Sequence, residues 1–507
     1  MRVVIIGAGI GGLACGVRLA AQGYAVTILE KNDTVGGRAN RYSAGGFTFD
    51  TGPTLLMMPD TLETLFQDVG RERFDYLSLQ RLDPAYQLLF SDGRLLDFTQ
   101  RLRALEAEVR RFGPDQIAPL YAFLGHAEWL YRASRERFVD QPLDRLGDWL
   151  RPSALAAAWR ARPWLSMHAL ASRYFRSPYL RMAFSFQALY LGISPLECPA
   201  IYSLLPYLDL VDGVYYPVGG MAQIGQALAR LFIELGGTIH CQAEAERILV
   251  ERGRVQGVLL HDERSLPAEI VVSNVDLPTT YARLLRHQPP SLAGWRVRHM
   301  RKSCSAAVFL WGLNRQYPNL RHHNFYLPMA YRRALNQLFD EERIPDEPAF
   351  YLCAPTQTDP SMAPPGCESV MVLVPVPNET TPQDWPRQLP MLRERLLALL
   401  DRTWLPGVAE HITVEQMLAP SWYGQRYALA DASAFGLSPT FWQSAMFRPQ
   451  RRSPDVRGLY FVGAGAHPGN GVPIVLIGAR LAAEAIMEDA GDAQHASGSF
   501  AGDRRRT

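Results

Sequence analysis

The feature that most constrains the fold is a glycine-rich turn close to the N-terminus. Residues 2–6 form a short run rich in β-branched side chains, which is typical of a buried parallel strand. The spacing Gly7-x-Gly9-x-x-Gly12 follows at once, and residues 10–22 then show the apolar periodicity of a helix. The sequence therefore predicts a strand–turn–helix unit that opens an α/β fold.

Each glycine of this turn has a physical role in binding a dinucleotide. Gly7 permits the tight turn, Gly9 lets the backbone approach a pyrophosphate, and Gly12 allows helix and strand to pack closely. The N-terminus of the helix presents free N–H groups and a positive dipole to the phosphates. Glu30 ends a second predicted strand at residues 25–29 and can accept hydrogen bonds from ribose hydroxyls. The combination predicts a Rossmann-like dinucleotide-binding domain.

A second glycine pair, Gly36-Gly37, is followed by Arg38. Backbone N–H groups and a guanidinium at this position can both contact the same pyrophosphate. The extended pattern, a glycine turn followed by an acid and then by Gly-Gly-Arg, resembles the flavoprotein superfamily of amine oxidases and carotenoid desaturases. The resemblance implies FAD as the cofactor.

Composition and charge exclude several classes of protein. A hydrophobic fraction of 48% over 507 residues indicates a globular chain with a large core, divided into two or three domains. The net charge of +2 argues against a nucleic-acid-binding protein. The six cysteines are scattered without a C-x-x-C pair, which excludes a disulfide scaffold. The adjacent His322 and His323 have no partners at ligand spacing, so no metal site is predicted.

The apolar N-terminal stretch does not predict a signal peptide. Glycines interrupt it and no A-x-A cleavage site follows. No uncharged apolar run reaches the ~18 residues of a membrane span. We therefore expect a protein without a signal peptide that is either soluble or bound to a membrane surface.

Four further segments resemble motifs of the bacterial-type phytoene desaturases and the related diapophytoene (dehydrosqualene) desaturases. They are residues 46–54, 180–186, 216–221 and 458–473. The resemblance extends from residue 1 to about residue 490, and the variant at residues 470–476 is somewhat closer to the thirty-carbon branch.

The resemblance implies an FAD-dependent carotenoid desaturase. Such an enzyme introduces conjugated double bonds into phytoene or 4,4'-diapophytoene by hydride transfer to flavin. Because this lipophilic polyene dissolves in lipid, the resemblance also implies peripheral association with the cytoplasmic face of a membrane. A quinone or dioxygen is the expected electron acceptor.

The resemblance also implies which residues hold FAD. Those expected at the ADP half are Gly7, Gly9, Gly12, Glu30, Gly37 and Arg38. Those expected along the isoalloxazine are Gly52, Pro53, Gly463, Gly465, Gly471, Val472 and Pro473. The helix that begins at Pro473 would direct its N-terminus to the flavin edge where negative charge develops on reduction.

Desaturation also releases a proton, and the sequence offers three candidate catalytic residues. Asp148 and Arg151 form an Asp-x-x-Arg pair similar to one in the desaturase family, and His467 lies within the C-terminal signature. An acid and an arginine three residues apart on a helix are also typical of a surface salt bridge. His467 fits a structural role against the flavin equally well.

Residues 151–181 carry six arginines and no acid, interleaved with tryptophan, tyrosine and phenylalanine. This combination is typical of an anionic lipid surface, and it is also compatible with an amphipathic helical pair that exposes its arginines to water.

The predicted organisation has four parts. A discontinuous FAD-binding domain comprises residues 1–95, 206–290 and 415–490, and a helical, membrane-associating insertion comprises residues 96–205. A mixed α+β substrate-binding domain comprises residues 291–414, and residues 491–507 form a disordered tail.

Two other classes of function stay open. One is a related flavoenzyme on another substrate, such as a carotenoid isomerase, a terminal-methyl oxidase or an amine oxidase. Amine oxidases often carry a flavin-linked cysteine near the C-terminal signature, and residues 463–466 contain none. The other is a non-enzymatic prenyl-lipid carrier, against which the intact FAD motifs argue.

Overall fold

The computed structural model describes residues 1–141 and 159–502, with side chains of the last helix described to residue 491. Asp148 and Arg151 lie outside the described residues. In chain order the strands are β1 (Arg2–Ile6), β2 (Ala25–Leu29), β3 (Arg41–Ala44), β4 (Phe47–Asp50), β5 (Leu79–Leu82), β6 (Tyr86–Phe90), β7 (Leu95–Phe98), β8 (Val214–Pro217), β9 (Thr238–His240), β10 (Ala245–Glu251), β11 (Arg254–Leu260), β12 (Ser265–Pro267), β13 (Ile270–Ser273), β14 (Ser305–Leu313), β15 (His323–Leu327), β16 (Phe350–Cys353), β17 (Glu368–Val376), β18 (Ile412–Leu418) and β19 (Leu459–Phe461).

The α-helices of the described residues are Ile10–Ala21, Asp60–Gln67, Leu102–Arg110, Ile117–Ser134, Met167–Tyr174, Pro178–Ala183, Leu204–Tyr207, Ala222–Glu234, Leu277–Thr279, Leu292–His299, Tyr331–Phe339, Trp385–Asp401, Val408–His411, Pro420–Tyr427 and Val472–Gly502. Three of them continue directly into a π-helical turn, at Arg135–Val139, Leu208–Asp212 and Thr280–Leu284.

A five-stranded parallel sheet forms the dinucleotide-binding part of the fold. Its strand order is β19-β13-β1-β2-β9, and every neighbouring pair is parallel. The helix Ile10–Ala21 follows β1 and packs against the helices Ala222–Glu234 and Val472–Gly502. Helices that cover a parallel sheet bury its strands, which is why β1 reads as a continuous apolar run. The predicted Rossmann-like architecture is confirmed.

A seven-stranded mixed sheet forms the second layer, with the order β18-β14-β17-β16-β15-β6-β7. Strand β14, next to the edge strand β18, is buried along all nine residues, and the helix Trp385–Asp401 packs its apolar side against this layer. This sheet is the mixed α+β part of the predicted fold.

The sheet differs from the predicted domain boundaries at two places. Residues up to 95 were assigned to the FAD-binding domain, whereas β6 and β7 belong to the seven-stranded sheet, with β6 parallel to β15. β18 likewise extends this sheet to Leu418, beyond the predicted boundary at residue 414. The pairing of β6 with β15 joins residues far apart in sequence, so no local pattern reveals it.

The described residues between Leu102 and Tyr207 contain several helices, in the segment for which a helical insertion was predicted. No helix within the described ranges is long and apolar enough to cross a bilayer. The last helix continues to Gly502, whereas a disordered tail was expected from residue 491.

Candidate functional site

One cavity of about 910 Å³ connects the glycine turn with the interior of the seven-stranded sheet. One end is lined by the glycine turn, by Glu30 and by Arg38, and the other by Phe186, Leu189 and Phe325. The cavity therefore joins a polar nucleotide-type site to an apolar chamber at the carboxyl ends of β1 and β2, where ligands bind in open α/β sheets.

The glycine turn is held against the first two strands. The Gly7 N–H donates to the Leu29 carbonyl over 2.7 Å, and the Gly36 N–H donates to the Ala8 carbonyl over 2.8 Å. A Cβ on residue 12 would lie 2.2 Å from the Gly7 carbonyl oxygen. This approach excludes any larger residue, so Gly12 packs turn and helix together as predicted.

Glu30 is buried at the end of β2 and fixed by three hydrogen bonds. The Ala8 N–H donates to Oε2 over 2.9 Å, and the backbone and side-chain N–H groups of Asn32 both donate to Oε1 over 2.8 Å. These three bonds immobilise the carboxylate, and Oε2 can still accept a further hydrogen bond. This arrangement suits a ribose hydroxyl.

Arg38 lines the cavity and donates from Nη1 to the Ala434 carbonyl over 2.8 Å. Burial lowers the pKa of its guanidinium, against the opposing effect of the nearby Asp276 carboxylate. A desolvated guanidinium at the wall of a cavity is suited to contact a pyrophosphate. Gly52 packs directly against the backbone of Arg38, and Pro53 lines the cavity beside Gly52.

The C-terminal signature closes the other side of the site. Gly463 and Gly471 have positive φ angles of 89° and 104°, which favour glycine over any other residue. The helix Val472–Gly502 begins at the cavity, and the Val475 N–H bonds the Gly471 carbonyl. The first turn of this helix, residues 472–475, therefore lies at the cavity wall with unpaired N–H groups.

Asn274 is a site residue that lies outside the predicted motifs. Its Nδ2 donates to the Gly7 carbonyl over 3.2 Å. A Cβ on Gly9 would lie 2.7 Å from Asn274 Nδ2, and a Cβ on Gly463 would lie 2.7 Å from its Oδ1. Asn274 therefore links the N-terminal and C-terminal glycine motifs. Its position directly after the apolar strand β13 was the available signal, because strand ends of a parallel sheet carry ligand-binding residues.

These residues fit FAD. The closely packed glycines leave room for a ligand, and the immobilised acid, the desolvated guanidinium and the helix N-terminus supply an acceptor for ribose and donors for phosphates. All thirteen predicted cofactor residues lie in the described part of the chain, and those that line the cavity are Gly7, Gly9, Glu30, Gly37, Arg38, Gly52, Pro53, Gly463, Gly465, Gly471, Val472 and Pro473.

His467 lines the same cavity and is 3% exposed. Burial and the nearby guanidinium groups of Arg451 and Arg448 lower the pKa of its imidazole to about 4, although backbone groups of Gln141 and Phe138 oppose the shift. The side chain is therefore neutral at pH 7. Asp148 and Arg151, the other two candidate catalytic residues, lie outside the described residues.

Two buried carboxyl groups do not line the cavity itself: Asp50 belongs to the motif at residues 46–54, and Asp209 lies outside every predicted motif. Asp50, at the end of β4, accepts a hydrogen bond from the Met221 N–H over 2.8 Å, and burial raises its pKa to about 7. Asp209 accepts one from the Tyr86 hydroxyl over 2.9 Å, and burial raises its pKa to about 7 as well. Asp209 belongs to no motif, so only its burial marks it.

Similarity to known proteins covers nearly the whole chain. The profile of flavin containing amine oxidoreductases matches residues 10–487. A zeta-carotene-forming phytoene desaturase of Myxococcus xanthus is 40% identical over 487 residues, covering 96% of this chain and 94% of that protein. A lycopene-forming phytoene desaturase of Pseudescherichia vulneris is 36% identical, covering 96% and 99%. A 4,4'-diapolycopene oxygenase of a Methylomonas species is 34% identical, covering 96% and 98%.

Solved structures support the fold. An oxidoreductase of Methanosarcina mazei has a TM-score of 0.63 at 21% identity, and covers 96% of this chain and 100% of its own. Cyclohexylamine oxidase of Brevibacterium oxydans has a TM-score of 0.61 at 18% identity, covering 97% and 99%. The near-complete match in sequence and the FAD-type site together show that this chain is an FAD-dependent oxidoreductase of the flavin containing amine oxidoreductase family and belongs to its carotenoid desaturases.

Proposed function

We propose that this protein desaturates phytoene or its thirty-carbon analogue 4,4'-diapophytoene. The observation that carries the proposal is the continuous cavity that leads from the FAD residues into an apolar chamber. The chamber is walled by aromatic and aliphatic side chains of the helical insertion and the seven-stranded sheet, among them Phe186, Leu189, Phe325 and Leu373. Such a wall accommodates a hydrocarbon and excludes water.

Bound FAD would supply the acceptor for a hydride that leaves an allylic carbon of the polyene. The residues of this chain position the two reactants and keep the site dry, because hydride transfer depends on geometry more than on an acid catalyst. Phe325 and Leu373 come from β15 and β17, so a rigid sheet fixes this part of the wall. The N–H groups that begin the helix Val472–Gly502 stabilise negative charge at the adjacent cavity end.

For His467 we propose a positioning role. Its imidazole is neutral and buried at the cavity wall, and its backbone N–H donates to the Pro449 carbonyl over 2.8 Å, so the residue anchors the signature loop at residues 463–471. Asp148 and Arg151 remain candidates for proton transfer on the strength of the family resemblance alone.

We further propose that the cavity opens towards a membrane surface. Two aromatic residues line the cavity while remaining exposed, Trp164 at 58% and Phe441 at 38%. Trp159 is 75% exposed and lies beside Trp164, and Trp442 is 69% exposed and lies beside Phe441. These four residues, the aromatic rim, offer apolar surface at the point where a lipid-soluble substrate must enter.

Basic side chains lie next to the aromatic rim. Arg160 and Arg162 lie between Trp159 and Trp164 in the sequence, and both are exposed. Arg296 donates to the backbone of Phe447, which packs on Trp442. Cationic groups around exposed aromatics favour an anionic lipid headgroup layer. Peripheral binding at the cytoplasmic face of a membrane, with a quinone or dioxygen reoxidising the flavin, completes the proposal.

Co-expression tests the proposed reaction. The protein is produced in a non-pigmented bacterium that makes phytoene, and separately in one that makes 4,4'-diapophytoene. New long-wavelength polyene absorption from one precursor supports desaturation and reveals the chain length of the substrate. Conversion of the precursor to an oxygenated polyene contradicts the proposal. The absence of any product, although the purified protein holds flavin, contradicts it as well.

Vesicle sedimentation tests the proposed surface. Wild type should sediment with vesicles that contain phosphatidylglycerol, and the double variant Trp164→Ala/Trp442→Ala should lose about tenfold or more of this binding, because each buried indole contributes roughly 1.5–3 kcal/mol. Met391→Ala is the matched control, since Met391 is 58% exposed on the helix Trp385–Asp401. Equal binding of both variants contradicts the assignment of the rim.

A further inference from the structure

The amino end of β15 carries two histidines whose rings converge. His322 immediately precedes β15 and His323 is its first residue. Successive side chains of a regular strand point to opposite faces of the sheet. Here the two ring centroids are only 4.4 Å apart. The backbone before the strand therefore departs from the regular pleat in a way that brings both imidazoles together.

A cysteine completes the cluster. Cys353 ends β16 and is the cross-strand partner of His323 in the antiparallel β15–β16 ladder. One nitrogen of each ring and the Cys353 sulphur lie within 4.8 Å of one another, and all three residues are buried. The sequence shows no third ligand for the histidine pair, because Cys353 is far from it along the chain and comes close only through the sheet.

Each imidazole is oriented through its Nδ1. His322 Nδ1 lies 2.8 Å from the Thr358 hydroxyl, and His323 Nδ1 lies 2.6 Å from the Tyr351 hydroxyl. Metal-binding histidines almost always use one ring nitrogen for such a bond, which fixes the tautomer and leaves the other nitrogen for the metal.

The other nitrogens have nothing to bind. Within the described residues, Nε2 of His322 and Nε2 of His323 are both buried without a hydrogen-bond partner. An unsatisfied buried polar atom costs about 1–3 kcal/mol. Two unsatisfied ring nitrogens beside a buried thiol are typical of a site that binds a ligand.

The electrostatic surroundings suit a cation. The Asp359 carboxylate interacts with His322, and the Asp50 carboxylate interacts with Cys353. Two carboxyl groups therefore flank the cluster and offset positive charge placed in it.

We propose that His322, His323 and Cys353 bind a thiophilic d¹⁰ cation, Zn²⁺ or Cu⁺. Each Nδ1–H donates to its hydroxyl partner, each Nε2 coordinates the ion, and Cys353 coordinates as the thiolate after its proton leaves to solvent. Two imidazoles and a thiolate are a soft to borderline donor set, which excludes Mg²⁺ and Ca²⁺. Because the ligands lie on two paired strands, the ion stabilises the sheet that walls the chamber, whatever polyene the enzyme accepts.

Coordination requires a small closure of the cluster. Bonds of about 2.0–2.3 Å place donor atoms roughly 3.4–3.8 Å apart at tetrahedral or trigonal angles. The present separations reach 4.8 Å, so the side chains move inward by about 1 Å or less when the ion binds. Adjustments of the χ angles of His322 and Cys353 achieve this without moving the strands.

Metal analysis of the full-length flavoprotein tests the site. Untagged protein is purified from cells grown with added zinc, and separately with added copper, and dialysed against a chelator that removes surface ions. We expect about one ion per chain in wild type, and a drop of at least about tenfold in Cys353→Ser and His323→Gln. The two growth conditions distinguish zinc from copper.

Controls keep this result interpretable. Cys304→Ser removes another buried free cysteine and should retain the ion, and the flavin absorption of every variant reports whether it has folded. X-ray absorption of the wild-type protein should show one sulphur and two nitrogen neighbours. Folded, flavin-loaded wild type without zinc or copper overturns the proposal, as does an ion that both variants retain. Neither result depends on whether the protein desaturates phytoene.

Discussion

A Cβ atom on residue 52 would stand 2.0 Å from the carbonyl oxygen of Arg38. This approach joins the two motifs that follow the glycine turn, and it involves backbone atoms that no rotamer change can move. Gly52→Ala should therefore separate the two segments, lose FAD on gel filtration and lower stability by about 1–3 kcal/mol or more. Flavin absorption per protein and the unfolding temperature measure the two effects.

Gly125→Ala is the matched control for this steric prediction. Gly125 lies exposed in the helix Ile117–Ser134, and the methyl group of an alanine there would meet no described atom within 4 Å beyond the helix's own backbone. Alanine in a helix interior is favoured over glycine by roughly 0.5–1 kcal/mol. We expect unchanged flavin content and slightly higher stability. Equal losses in both variants would show that the contact with Arg38 is not the cause.

Glu30→Gln should weaken FAD binding by about ten- to a hundredfold. The carboxylate accepts from Ala8 and Asn32 with both oxygens, so an amide NH₂ at either position would face a donor. Loss of a charged acceptor and the new donor–donor conflict together cost roughly 1.5–3 kcal/mol. Titration of flavin-free protein with FAD, followed by fluorescence quenching, gives the dissociation constant. The exposed Glu72→Gln should leave it unchanged.

Asp209 should make stability depend on pH. Its pKa is about 7 in the folded protein, raised by burial from 3.8, so between these values the folded state holds a proton that the unfolded state has lost. Stability therefore falls as pH rises from about 4 to about 7, and levels off above. Asp209→Asn removes this loss, so its advantage over wild type should grow with pH across that window to the order of 2–4 kcal/mol.

Unfolding temperatures of both proteins at pH 5, 6, 7 and 8 test this pH dependence. Asp262→Asn serves as the control, because the hydrogen bond from Arg264 lowers the pKa of that exposed carboxyl. It should show no growing advantage between pH 5 and pH 8. A constant difference between Asp209→Asn and wild type at every pH would contradict the raised pKa.

Leu373→Trp should block the substrate chamber while FAD stays bound. Leu373 lies on β17, is half-buried and lines the apolar end of the cavity, away from the glycine turn. An indole there occupies volume that the polyene needs, and the rigid sheet cannot yield. We expect at least about a tenfold loss of coloured product in co-expression with normal flavin absorption. Met391→Trp, on an exposed helix position, should keep full activity.

Much of the nucleotide-binding half follows from local sequence. The bounds of β1, β2 and the helix Ile10–Ala21 match the predicted strand–turn–helix–strand unit to within a residue. Gly12 and Gly52 have steric roles that backbone contact imposes, so glycine at these positions is informative in any sequence. The glycine spacing with Glu30 predicts a dinucleotide site, and the family resemblance carried by Gly36-Gly37-Arg38 predicts FAD.

The rest of the site depends on contacts between distant residues. β6 joins β15, Asn274 reaches Gly7, and Cys353 meets the two histidines, each across a separation that leaves no local pattern. Burial, which sets the pKa of Asp50 and Asp209, is likewise a property of the packed chain. The sequence by itself therefore determined the cofactor, the family and the first βαβ unit. Only the tertiary structure decided the wall of the chamber, its aromatic rim and the His–His–Cys cluster, because side chains from separate strands and helices must first be packed together to form them.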